Sequence, residues 1–131
     1  MMKLSGLDHL VLTVADIAET VGFYQDVLGM ESERFTPADG SDRWALKFGV
    51  QKINLHQVGV EFEPKAMRAT AGSADLCFLS DVPVADWQLH LVKQGVKVID
   101  GPVRRTGANG AILSIYLRDP DGNLLEISNH L

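Results

Sequence analysis

The order of extended and helical patterns occurs twice along the chain, and that repetition restricts the fold more than any single motif. Residues 7–14 (LDHLVLTV) form a strand pattern rich in branched side chains, and residues 16–28 then switch to helical spacing. Ile17, Val21, Tyr24 and Leu28 mark the buried stripe of that helix. Asp16 suits its N-cap, and Gly29 suits the left-handed position after it. Three short extended stretches follow, at 30–35, 43–48 and 52–58, separated by PADGSD and Gly49. Residues 59–73 contain Pro64 and Gly72, show no period, and read as a connector. The order then returns: a strand at 75–79, a helix at 84–94 ended by Gly95, and strands at 97–99, 111–117 and 124–128. The segment Asp119-Pro120-Asp121-Gly122-Asn123 before the last strand is a tight-turn signal, with Pro presetting one dihedral and Gly supplying a positive φ.

The fold class this predicts is α+β: two βαβββ modules forming a cupped, barrel-like mixed sheet. Module one spans about 5–58, the connector about 59–73 and module two about 74–131. At 131 residues the chain is of single-domain size. Twelve Lys plus Arg against 17 Asp plus Glu give a net charge of −5, with no basic stripe, which argues against nucleic acid as a partner. No apolar run approaches the roughly 20 residues of a membrane span, and residues 1–6 lack signal-peptide character, so a cytoplasmic location without membrane partners is expected. The single cysteine, Cys77, excludes an internal disulfide and reads as a small buried thiol between Leu76 and Phe78.

Strand parity isolates a set of polar side chains. His9 shares a face with Val11 and Thr13, His56 with Asn54, Asp75 with Cys77 and Leu79, and Glu126 with Leu124 and Ser128. Each of the four interrupts the more polar face of a strand whose other face is apolar. His9 and Asp75 open the two modules, while His56 and Glu126 lie in the closing strands, so a pseudo-twofold repeat would bring the four into one cavity. Two neutral imidazoles and two carboxylates balance a divalent cation, and this donor set suits Zn, Ni, Fe(II) or Mn better than Ca.

LDHLVLTVADIAETVGFYQDVLGM at the start and SIYLRDPDGNLLEIS at the end resemble the two signature segments of the vicinal oxygen chelate superfamily, which includes glyoxalase I, fosfomycin-resistance proteins, extradiol dioxygenases and bleomycin-resistance proteins. KINLHQVGVEFEPKA, GSADLCFLSDVP and GPVRRTGANGAILSIYLRDPDGNLLEISN are most similar to the group called glyoxalase domain-containing protein five and its bacterial relatives. The resemblance implies the paired-module fold, a homodimer and a metal site. His9 matches the superfamily's first-strand His and Glu126 its last-strand Glu. His56 falls where glyoxalase I has a Glu, and Asp75 where it has a His.

A metal-dependent enzyme follows as the expectation, one that chelates neighbouring oxygens of a small substrate and runs glyoxalase I-like lyase or isomerase chemistry. Glu126 is the expected proton-transfer group and Tyr116 a catalytic or cavity-wall residue. Arg105 and Asn109, in the RRTGANG segment, are expected to hold an anionic or polar substrate. Without Asp75, the set His9, His56 and Glu126 would suit Fe(II) and extradiol ring cleavage. A third expectation is a small-molecule binding or resistance protein without chemistry.

Overall fold

The computed structural model describes residues 1–131, and the chain divides inside the expected connector into two compact units, Met1–Ala71 and Gly72–Leu131. The first unit contains β1 (His9–Val14), α1 (Ile17–Asp26), β2 (Glu31–Phe35), β3 (Arg43–Phe48) and β4 (Gln51–Gln57). Its sheet has the order β1-β4-β3-β2, with β1 parallel to β4 and the other pairs antiparallel. A parallel pair requires a crossover, and here α1, β2 and β3 supply it. Asp16 caps α1 by accepting a hydrogen bond from the Glu19 N–H at 2.9 Å, and Gly29 (φ 72°) takes the left-handed conformation beyond its C-terminus. The helix packs on β2, β3 and β4. Leu12, Val14, Tyr24, Leu46, Ile53 and Leu55 are buried in this core, each contributing about 1.5–3 kcal/mol through burial.

The second unit contains β5 (Asp75–Leu79), α2 (Val84–Lys93), β6 (Asp100–Gly107), β7 (Gly110–Arg118) and β8 (Leu124–His130). Its sheet order, β5-β8-β7-β6 with β5 parallel to β8, repeats the layout of the first. Ile115, Leu117, Leu125 and Ile127 are buried, as are Val84 and Leu91 of α2, which packs on β7 and β8. Pro83, at the N-cap of α2, offers no capping side chain; the Asn129 Oδ1 accepts from the Val84 N–H at 2.8 Å instead.

The turn 119–123 is held from within. The Asp119 Oδ1 accepts from the N–H groups of Asp121 and Asn123, both at 2.9 Å, and its Oδ2 from the Asn123 side chain at 2.7 Å. The fully buried Asn123 in turn accepts from the Ala74 N–H at 2.9 Å, tying the turn to the entry of β5. One element departs from expectation. Residues 97–99 (KVI) lie before the strand, and the polar segment DGPVRRTG forms β6, pairing with β7 through a hairpin at Ala108 and Asn109. A ladder is built by backbone hydrogen bonds, so an apolar run has no priority over a neighbouring polar one at a sheet edge.

Candidate functional site

The face of the module-two sheet away from α2 carries Asp75 and Cys77 on β5, Glu126 and Ser128 on β8, Ser114 and Tyr116 on β7 and Arg105 on β6, placed there by strand parity and register. A cavity of about 440 Å³ opens on it, lined by Cys77, Arg105, Asn109, Tyr116, Glu126 and His130 among others. A second, of about 390 Å³, is lined by Asp75, Asp100, Arg105, Tyr116 and Glu126. Asp75, Glu126, Tyr116, Arg105 and Asn109, five of the residues selected from the sequence, therefore belong to one face of one module.

Glu126 stands directly opposite Tyr116 on β7 and Cys77 on β5. Its Oε2 accepts from the Ser114 hydroxyl at 2.5 Å, and the Ser128 hydroxyl lies 3.4 Å from the same oxygen. The Arg105 Nε donates to the Tyr116 Oη at 3.0 Å, and its terminal nitrogen lies 3.8 Å from Asp100. The bond to Tyr116, with Asp100 and Glu126 nearby, holds the guanidinium further above its usual range, so it remains cationic. Cys77 corrects the sequence reading: its thiol is exposed, because alternation along β5 sends Leu76 and Phe78 inward and Cys77 onto the polar face. Burial of part of the side chain pushes its pKa up, with Glu126 adding to the rise, so at neutral pH it is a thiol. Ser114, Ser128 and His130 were not selected from the sequence. Parity places Ser128 and His130 with Glu126, but the contact of Ser114 with the carboxylate depends on the β7–β8 register.

Module one places His9 and His56 on one sheet face. His9 stands opposite Lys52 and His56 opposite Thr13, so the two are four residues apart in register, roughly 13 Å along the strands. They share a face and not a point. The His9 Nδ1 lies 2.9 Å from the Asp8 carboxylate, which leaves Nε2 open. His56 is buried, its ring edge-on to Phe62, over which Arg43 stacks at 3.9 Å. Burial, reinforced by Arg43, lowers its pKa, so it is neutral at pH 7. The Nδ1 of His56 and the Oδ1 of Asn54 are both buried without a hydrogen-bond partner. Aligning the parallel pairs β1–β4 and β5–β8 on His9 and Asp75 makes Asn54, not His56, the module-one counterpart of Glu126; His56 corresponds to Ser128.

No three His, Cys, Asp or Glu side chains converge as a metal-ion site in the structure. The donor chemistry nevertheless fits a divalent ion. His9 offers a free Nε2 on a ring bonded through Nδ1 to a carboxylate, the arrangement that orients a ligating imidazole, and Glu126 offers a carboxylate with one oxygen hydrogen-bonded and the other open.

The model of the glyoxalase/bleomycin resistance protein/dioxygenase superfamily matches residues 6–127. The chain belongs to this superfamily. It is 53% identical to the virulence protein STM3117 of Salmonella typhimurium, over 99% of this chain and 88% of that one. It is also 53% identical to the glyoxalase domain-containing protein RDO1 of Mycosarcoma maydis, over 98% and 70% of the two. Among solved structures, an integron cassette protein from the mobile metagenome of V. cholerae superposes with a TM-score of 0.94 at 58% identity, over 100% of this chain and 99% of that chain. As a superfamily member the chain has the paired-module α+β fold, and no helix is long and apolar enough to cross a membrane.

Proposed function

We propose that the chain is a metal-dependent enzyme that holds two neighbouring oxygens of a small substrate and carries out lyase or isomerase chemistry of the glyoxalase type. The observation that carries this reading is Glu126: a carboxylate lining a cavity, with Arg105 and Tyr116 on its wall and one oxygen engaged by Ser114. The ligands proposed are Asp75 and Glu126, on one face of the module-two sheet. Two carboxylates balance the charge of a divalent ion such as Mn, Zn, Ni or Fe(II).

A divalent ion bound by these groups supplies polarisation of the two substrate oxygens. Arg105 and Asn109 bind the anionic or polar end of the substrate, and the Tyr116 hydroxyl orients it. Glu126, through Oε1, moves the proton at the carbon beside the held oxygens.

The experiment is metal removal, reconstitution with Mn(II), Ni(II), Zn(II) or Fe(II), and a glyoxalase assay. Turnover with at least one metal, reduced by 10²-fold or more in Glu126→Gln, is expected. Inactivity with every metal refutes the lyase and isomerase reading, and oxygen uptake with catechols after anaerobic Fe(II) loading would replace it with ring cleavage. The homodimer belongs to the same proposal and is checked by light scattering.

A further inference from the structure

Proton counting gives the polar contacts around Glu126 a single direction. An ionised carboxylate only accepts, so in the 2.5 Å contact with Oε2 the Ser114 hydroxyl donates. A hydroxyl has one proton. In the 2.7 Å contact between Ser114 and Ser128 the donor must therefore be Ser128. That spends the Ser128 proton, so in its 3.2 Å contact with the Cys77 sulfur the thiol must donate. Both serines are fully buried, so bulk water cannot substitute in the link between them. The chain starts at the exposed thiol on the cavity wall and ends at Oε2.

We propose that Cys77, Ser128 and Ser114 are positioning residues, a one-way hydrogen-bond chain that fixes Oε2 of Glu126 and so presents Oε1 to the cavity. Each donated bond polarises the next, so the link nearest the carboxylate depends on those behind it. The link between the two serines lies in the interior, where an unmade bond leaves a polar atom without a partner. The inference rests on the reading of Glu126 as ligand and proton carrier, and it extends that reading to three residues proposed neither as ligands nor as proton carriers.

The test uses the full chain in two states. In metal-free protein, carbon-13 NMR follows the side-chain carboxyl of Glu126. In Mn(II) titrations, electron paramagnetic resonance gives the dissociation constant. Ser114→Ala is expected to displace the Glu126 carboxyl resonance further than any other glutamate resonance and to weaken Mn(II) binding by about 10–100-fold, the usual effect of losing a group that orients a ligand. Ser128→Ala should do the same to a smaller extent. Cys77→Ser, which keeps a donor, should retain more affinity than Cys77→Ala. Should Ser114→Ala fail to fold, Ser114→Cys keeps a near-isosteric weak donor and should give an intermediate displacement.

An unmoved Glu126 resonance in the folded Ser114 variant overturns the proposal. So does a moved resonance with unchanged Mn(II) affinity. If the unsubstituted protein binds no Mn(II), the metal reading fails by itself, and the carboxyl resonance still decides whether the chain holds Glu126.

Discussion

His56 shows how much a single side chain can bias the pH response. Its pKa in the native state lies below the ordinary 6.5, first through burial and then through Arg43. The unfolded chain binds the proton more readily, so stability rises with pH across this window. The contribution is complete above pH 6.5 and is lost as the pH falls below that value toward the depressed native pKa. The melting temperature of metal-free protein should therefore drop between pH 7.5 and 5, and His56→Gln should flatten that drop in a calorimetric series. At this scale the sequence was informative where parity decides: Asp75 and Glu126 share a face in module two, and His9 and His56 do so in module one. It was silent where register decides. That Ser114 meets Glu126, and that His9 stands opposite Lys52 rather than near His56, depends on how one strand is offset against another. A one-residue change of offset would reverse every such pairing.

Among the elements, those with strong local chemistry were legible. Helix α1 begins at the expected Asp16 cap, and Asp16→Ala should cost about 1 kcal/mol, read as a lower melting temperature. The turn 119–123 matches its sequence signal, but its reach does not. Gly72, with φ 82°, sits so close that an added Cβ would lie 2.5 Å from the Asp121 carbonyl oxygen. Backbone cannot retreat there as a flexible side chain would. Gly72→Ala should destabilise by about 2 kcal/mol or more, a fall in melting temperature of roughly 8 °C. The strand β6 was misplaced because its polar sequence carries no alternation, and only pairing with β7 makes it extended.

For the whole molecule, the repeated order of elements predicted the two βαβββ units, each with its own four-stranded sheet. Asp75 and Glu126, the carboxylates proposed as ligands, both lie in the second of these units. Asp75→Asn and Glu126→Gln should each abolish the stabilisation by Mn(II). In the unsubstituted protein, Mn(II) at 100 times its dissociation constant should add about 2.7 kcal/mol, visible as a concentration-dependent melting temperature. The exposed Cys77 has a practical consequence as well. It is the one cysteine in 131 residues, and it stands on the strand next to Glu126 at the same level. A thiol-specific fluorophore would therefore label this protein at one known atom on the cavity wall, making it a homogeneous optical reporter of whatever enters.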